Sequence, residues 1–268
     1  MDTKLNNLGP HRRRRRPLTP SENPLNGLYL EAEEIQRGLL PKVVPPFSGF
    51  EIAFRSCPAD IVGGDFCDFI LVAEDRLTLS IGDASGHGLP AAFLVRDVVT
   101  GIRMGVDRET RVDETLRRLN RVVHRGALSD RFVSVLLGEI EENGNFFYTV
   151  AGHVPPLAYD DSQVRPLLAG GTVLGPLVDA RYKLHFAHID HGSGIVLYTD
   201  GIIERRGPAG QLFGQEGLAR IVHRERLSAP GTMLTEIFND VLRFGGGLPW
   251  EDDATVVVIR RTTGNRPI

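Results

Sequence analysis

Two stretches of this 268-residue sequence read as antiparallel hairpins, and they bracket a pair of helices. "DFCDFILVAEDRLTLSIGDAS" (65–85) holds two apolar runs joined at Ala73-Glu74-Asp75. "RFVSVLLGEIEENGNFFYTVAGH" (131–153) holds two more around Asn143-Gly144, a dipeptide that favours a tight hairpin turn. Between them, residues 89–106 and 112–127 have helical patterning, the first with Pro90 in its opening turn. Further strands are predicted in "EIAFRSCPA", "GIVLYTDG" and "DATVVVIRR", with short helices at 215–226 and 231–244. Strand pairs, two helices and more strand pairs predict an α+β fold, a layered sandwich of antiparallel sheets. No internal repeat is present.

Composition excludes several classes. Hydrophobic content of 41% and charged content of 24% are those of an ordinary globular chain. No apolar run approaches the ~18 residues of a membrane span, and no apolar segment follows the basic start as a secretory signal requires. Cys57 and Cys67 form neither a disulfide framework nor a zinc set, which fits a reducing cytoplasm. The net charge of -3 hides an asymmetry: Arg12 to Arg16 lie in a Pro-rich tail, and beyond residue 20 the chain carries 25 basic against 33 acidic side chains. An acidic body speaks against a nucleic-acid partner, and the tail reads as solvated or as a membrane-surface or polyanion contact. No glycine precedes a lysine, so a G-K-[ST] phosphate loop is absent.

Four acids share one context. Asp65 in "VGGDF", Asp83 in "SIGDASGHG", Asp200 in "LYTDG" and Asp252 in "PWEDDATVVV" each sit at the end of an apolar strand beside glycine or another acid. One such residue commonly marks only a turn. Four carboxylates converging at buried strand ends would repel and resist desolvation, and a hard divalent cation relieves both problems. Two adjacent ions can clamp a phosphoryl group and acidify a water.

The motifs "VGGDFCDF", "LSIGDASGHGLPAA", "FVSVLL", "YTVAGHVPPLAY", "IVLYTDGIIE", "LFGQEGL" and "EDDATVVVIR" stand in the order found in the PPM family. The sequence most resembles its bacterial branch of sporulation-stage-II-E and sigma-regulation serine phosphatases, from about Leu28 to Arg261. The resemblance implies an α-β-β-α sandwich of two antiparallel sheets flanked by helices, with a metal site at the sheet edge. It implies a phosphoserine/phosphothreonine phosphatase using two Mn²⁺ or Mg²⁺ ions. Asp83 then matches the ligand bridging both ions, the Ala84 carbonyl a ligand of the second, and Asp200 and Asp252 ligands of the first. Asp65 matches an acid that holds coordinated water or the metal. The family pattern favours Asp252 over Asp253 and leaves the choice open. His87 matches the histidine that protonates the leaving serine oxygen; its alternative is to brace the loop. His153 reads as structural, and Cys67, where relatives carry an aromatic residue, as a small buried side chain. His185, His188 and His191, spaced by three, do not align on a strand face and are not expected to bind metal.

The resemblance divides the chain into a disordered tail (1–24), a linker helix (25–41), a phosphatase domain (42–262) and a C-terminal tail (263–268). The helix carries an apolar stripe of Leu28, Ala32, Ile35 and Leu39, expected to be buried on the domain or on a second copy of the chain. In relatives this helix helps to switch activity, which implies an activator docking on it, a homodimer, or constitutive activity. The implied substrate is a phosphorylated regulatory protein resembling an anti-sigma-factor antagonist. The alternatives are a non-catalytic phosphoprotein-binding regulator of the same fold, or a metal-dependent phosphodiesterase.

Overall fold

The computed structural model describes residues 24–126 and 131–263, with backbone alone for residues 24–30. The arginine block and residues 264–268 lie outside the described residues, as does the Leu28 side chain. Helix α1 (Pro24–Leu39) leads to strand β1 (Phe50–Cys57) and the hairpin β2 (Asp65–Ala73) and β3 (Arg76–Ala84). Helices α2 (Leu89–Gly105) and α3 (Val112–Gly126) follow, then the hairpin β4 (Val133–Glu141) and β5 (Asn145–Ala151). Three short strands, β6 (Leu157–Tyr159), β7 (Val164–Pro166) and β8 (Leu184–His188), precede β9 (Gly194–Tyr198). A single turn, α4 (Asp200–Ile203), then α5 (Gly214–Glu225), α6 (Pro230–Phe244) and β10 (Ala254–Arg261) complete the order.

The strands form two five-stranded antiparallel sheets, ordered β1-β10-β9-β6-β7 and β2-β3-β4-β5-β8. Helices cover both outer faces, giving the four-layer sandwich. The side-chain period of two explains how one strand serves two cores. On β10, Val257 and Ile259 face the space between the sheets, while Val256 and Val258 face α5 and α6. On β4, Leu136 and Ile140 face inward, while Val133, Val135 and Leu137 face α2 and α3. Such strands read as nearly unbroken apolar runs because both faces are covered. Val95, Val98, Val99 and Ile102 of α2 and Leu116, Leu119 and Val123 of α3 fill the outer layer of the second sheet. Full burial of each aliphatic side chain contributes about 1.5–3 kcal/mol.

Helix α1 docks differently from the sequence expectation. Ile35 is 65% exposed, and Ala32 and Leu39 are only half-buried. The residue turned into the protein is Gln36. The helix is held by polar contacts: Arg103 of α2 donates to the Leu39 carbonyl at its C-terminal end, at 2.7 Å. Arg103 also forms a two-pronged pair with the buried Asp68 of β2, at 2.7 and 3.1 Å. A carbonyl left open at a helix end is satisfied here by a cation, which also suits the helix dipole.

Arg103→Ala would strand Asp68 out of water without its partner. The expected loss is about 2 kcal/mol, below the range for a fully buried pair because Arg103 is partly exposed. Adding Asp68→Asn should recover part of that loss, since it removes the buried charge. Urea unfolding of the single and double variants checks this; a double variant less stable than Arg103→Ala would contradict the role given to the pair.

Candidate metal centre

Strand register assembles the site. In one sheet, Asp65 at the start of β2 lies directly opposite Asp83 near the end of β3. In the other, β9 and β10 run antiparallel, with Tyr198 opposite Val256. Asp200 therefore follows the end of β9 at the same edge at which Asp252 precedes β10. Each sheet delivers one pair of carboxylates to the same end of the sandwich. Above them opens a cleft of about 490 Å³ whose lining includes Asp83, His87, Trp250 and Asp252.

Two glycines let the segments that carry the acids approach. A Cβ on Gly64 would lie 2.6 Å from the Ala84 carbonyl oxygen and 2.7 Å from Asp83 Oδ1. A Cβ on Gly63 would run into the Asp253 carboxylate. Only bare backbone fits between these acids. Asp253 itself is spent on that backbone: Oδ1 accepts from Ala59 N–H at 2.7 Å and Oδ2 from Gly64 N–H at 2.5 Å. Asp252 faces the cleft and is exposed, accepting only from the Asp253 N–H at 2.8 Å among the described residues.

The electrostatics follow from the convergence. Burial, then the charges of Asp200, Asp252 and Asp253, push the Asp83 carboxyl up to about 8. Burial and then Asp83 hold Asp65 well above the ordinary carboxylate range. The Thr199 hydroxyl, donating to Asp65 Oδ2 at 2.7 Å, works against that rise. Asp200 is raised by burial and then by Asp252, and Asp252 mainly by burial. Among the described residues no three Asp, Glu, His or Cys side chains are gathered closely enough to hold an ion as placed. The donor set still fits a hard divalent cation: it is all oxygen, mutually repelling, and crossed by a carbonyl at Ala84.

The remaining residues divide clearly. His87 is exposed on the cleft wall, two residues ahead of α2. His153 is buried against Ser134 Oγ at 2.9 Å, and burial lowers its pKa to about 4, so it stays neutral. Cys67 is buried between the sheets, where desolvation raises its thiol pKa. His185 stacks on Tyr148, His188 approaches Asn145 Oδ1, and His191 meets the Thr262 carbonyl, each away from the cleft.

Sequence reasoning missed Thr199, Arg205 and the backbone role of Asp253. Arg205, 1% exposed, donates to the Pro249 and Leu248 carbonyls and to Glu251, and lies over the Trp250 ring. It pins the segment that runs into Asp252. Nothing in "ERRG" tells Arg205 from its exposed neighbour Arg206.

The model of Stage II sporulation protein E (SpoIIE) matches residues 73–262, more than half of the chain. The chain belongs to the SpoIIE family. Phosphoserine phosphatase RsbU of Bacillus subtilis is 29% identical over 233 residues, covering 86% of this SpoIIE-family chain and 69% of RsbU. The crystal structure of the RsbU and RsbW domains of a Mycobacterium tuberculosis protein is similar with a TM-score of 0.75 at 26% identity, over 86% of this chain and 65% of that one. The SiaA-PP2C domain of Pseudomonas aeruginosa shares the fold with a TM-score of 0.78 at 20% identity, over 91% of this chain and 99% of that domain. The chain thus spans about two thirds of RsbU and of the mycobacterial protein's chain. The sandwich predicted from the strand pattern is the PP2C-type phosphatase fold.

The raised carboxylates fix the sign of a pH effect. Between about pH 4 and about pH 8 Asp83 keeps a proton in the metal-free folded protein that it has lost in the unfolded chain, so its contribution to stability falls as pH rises through that window. The melting temperature of EDTA-treated protein should drop from pH 6 to pH 8.5, and Asp83→Asn should flatten the drop. Equal slopes for the two proteins would mean that Asp83 does not feel its neighbours.

Proposed function

We propose that this protein is a phosphoserine/phosphothreonine phosphatase that uses two divalent cations, Mn²⁺ or Mg²⁺, and acts on a phosphorylated regulatory protein of the anti-sigma-factor-antagonist type. The observation that carries the reading is the delivery of one carboxylate pair by each sheet to the same end of the sandwich, where Asp83 of one sheet and Asp252 beside the other line one cleft. In this reading residues 42–262 are the catalytic domain and residues 25–41 the linker segment.

Asp83 would hold both ions, with the Ala84 carbonyl on the second and Asp200 and Asp252 on the first. Asp65, opposite Asp83 and braced by Thr199, would complete the set directly or through a water. Asp252 takes the ligand role in preference to Asp253, because both Asp253 oxygens are already engaged by backbone N–H groups. When bound, the ions supply charge for the phosphoryl oxygens and a water acidified toward neutrality. His87 stands on the open wall beside Asp83, where it can hand a proton to the departing serine oxygen. Arg205 and Trp250 hold the opposite wall in place, which keeps Asp252 in register with Asp200.

The lining favours this over the other readings. Among the described residues it carries five acids (Asp60, Asp83, Glu251, Asp252 and Asp253) and no lysine or arginine, a poor surface for a polyanionic backbone. A silent phosphoprotein-binding site would not require the full acidic set, and every member is present. Among the described residues no helix is long and apolar enough to cross a membrane.

Phosphate release from a phosphoserine protein, compared in Mn²⁺, Mg²⁺ and EDTA, tests the proposal. Activity should require added cation and vanish in EDTA. Asp83→Asn should lose at least about a hundredfold in kcat, and Asp200→Asn should raise the cation concentration needed for half-maximal rate. EDTA-resistant hydrolysis, or full activity of Asp83→Asn at low Mn²⁺, would refute the two-ion reading.

A further inference from the structure

His87 is exposed, so its place is set by the backbone on either side of it. Glycines flank it, Gly86 with φ of 88° and Gly88 with φ of 71°, and glycine backbone is the costliest to hold in one conformation. On the far side Gly88 is fastened to α2, its carbonyl accepting from the Ala92 N–H at 3.1 Å. On the near side the chain has just left its sheet: the pairing of β3 with β4 ends at Ala84 and Val133.

The segment leading into β4 takes over from there. The Ser85 N–H donates to the Phe132 carbonyl at 2.9 Å, and the Phe132 N–H donates to Ser85 Oγ at 2.9 Å. These bonds carry the pairing one residue further. Arg131 adds a contact of another kind. Its Nη1 donates to the Ser85 carbonyl at 2.8 Å, and a Cβ on Gly86 would run into that same Nη1. The guanidinium therefore lies against the bare Gly86 backbone, directly before His87. Its planar fork suits both tasks, a bond to a carbonyl and a flat cover over a glycine. Among the described residues the cleft lining includes Gly86 and His87 but not Arg131, so the cation meets the loop and not the cleft. Closing the end of the sheet does not call for it, because Ser85 and Phe132 already do so.

We infer that Arg131 is a positioning residue that acts through Ser85 and Gly86 to hold His87 where it can protonate the departing serine oxygen. The inference rests on the role given to His87 above. As the incoming water oxygen bonds to phosphorus, the bond from phosphorus to the serine oxygen breaks and its electron pair goes to that oxygen. The proton this oxygen takes comes from the His87 imidazolium. A serine alkoxide is a poor leaving group and needs that proton, whereas p-nitrophenolate departs without one. A residue that acts only through His87 must therefore matter for the first leaving group and not for the second.

The test is a double-mutant cycle on the full chain at saturating Mn²⁺: wild type, Arg131→Met, His87→Ala and the two together, each assayed on a phosphoserine protein and on p-nitrophenyl phosphate. Arg131→Met should lower kcat on the phosphoserine protein about tenfold or more, and change kcat on p-nitrophenyl phosphate by less than about twofold. Once His87 is replaced, Arg131→Met should have no further effect on either substrate. No loss on the phosphoserine protein, equal losses on both substrates, or losses that multiply in the double variant would overturn the inference and leave Arg131 a support of the turn alone. Should Arg131→Met fail to fold, Arg131→Lys, which keeps the charge and lacks the planar head, decides on the same criteria. If His87→Ala affects the two substrates equally, the role of His87 is refuted and the inference with it. A wild type inactive on both substrates would instead refute the phosphatase reading.

Discussion

Like charges gathered out of water are the constraint on which this structure turns. Asp65 lies opposite Asp83 in one sheet, Asp200 and Asp252 flank neighbouring strands of the other, and burial, then the charges of Asp200, Asp252 and Asp253, push the Asp83 carboxyl up to about 8. A polypeptide does not collect such groups for stability, because desolvation and repulsion both oppose it. The rest of the sandwich must hold the arrangement against that tendency. Two sheets, each covered by helices, supply the apolar burial that does so.

In the proposed reading, holding and reacting fall to different residues. Asp253 binds three backbone N–H groups, at Ala59, Gly64 and, more distantly, Asp65, and thereby fastens β10 to the glycine turn. Thr199 joins the sheets by donating to Asp65 while accepting from Thr255 N–H. Arg205 fixes the approach to Asp252 from a wholly buried position. Asp83, Asp252 and His87 are left facing the cleft. Acidity alone does not separate these roles; Asp252 and Asp253 differ in which way the segment leading into β10 points them.

The sequence was legible where chemistry and periodicity coincide. The hairpins at β2–β3 and β4–β5, the helices α2, α3, α5 and α6, and β10 follow from apolar runs and turn residues. Strands β6, β7 and β8 did not announce themselves: they are three to five residues long, and "VRP" and "LHFAH" carry little apolar pattern. The acidic positions at strand ends were visible as a motif, and the resemblance to known phosphatases named them. The holding residues were not. Thr199, Arg205 and Gln36 take their meaning from partners 27 to 134 positions away, and no local signal records such a pairing. Helix α1 shows the limit most clearly. Its stripe predicts Ile35 as the buried residue, but the helix is rotated so that a polar neighbour meets the domain. An apolar period identifies a face only when apolar burial decides the docking, and here two hydrogen-bonded anchors decide it.

The bond from Gly64 to Asp253 spans 189 positions. No contiguous fragment shorter than that interval can hold the two halves of the centre together. During synthesis, the hairpin bearing Asp65 and Asp83 is made long before β10, the strand that brings Asp252 and Asp253 to it. A nascent chain can bury its first sheet against α2 and α3 while the acids at its edge still lack their counterparts. The capacity to remove phosphate is therefore acquired in a single late step, when β10 inserts between β1 and β9, and a partly made chain offers no premature hydrolase to the cell.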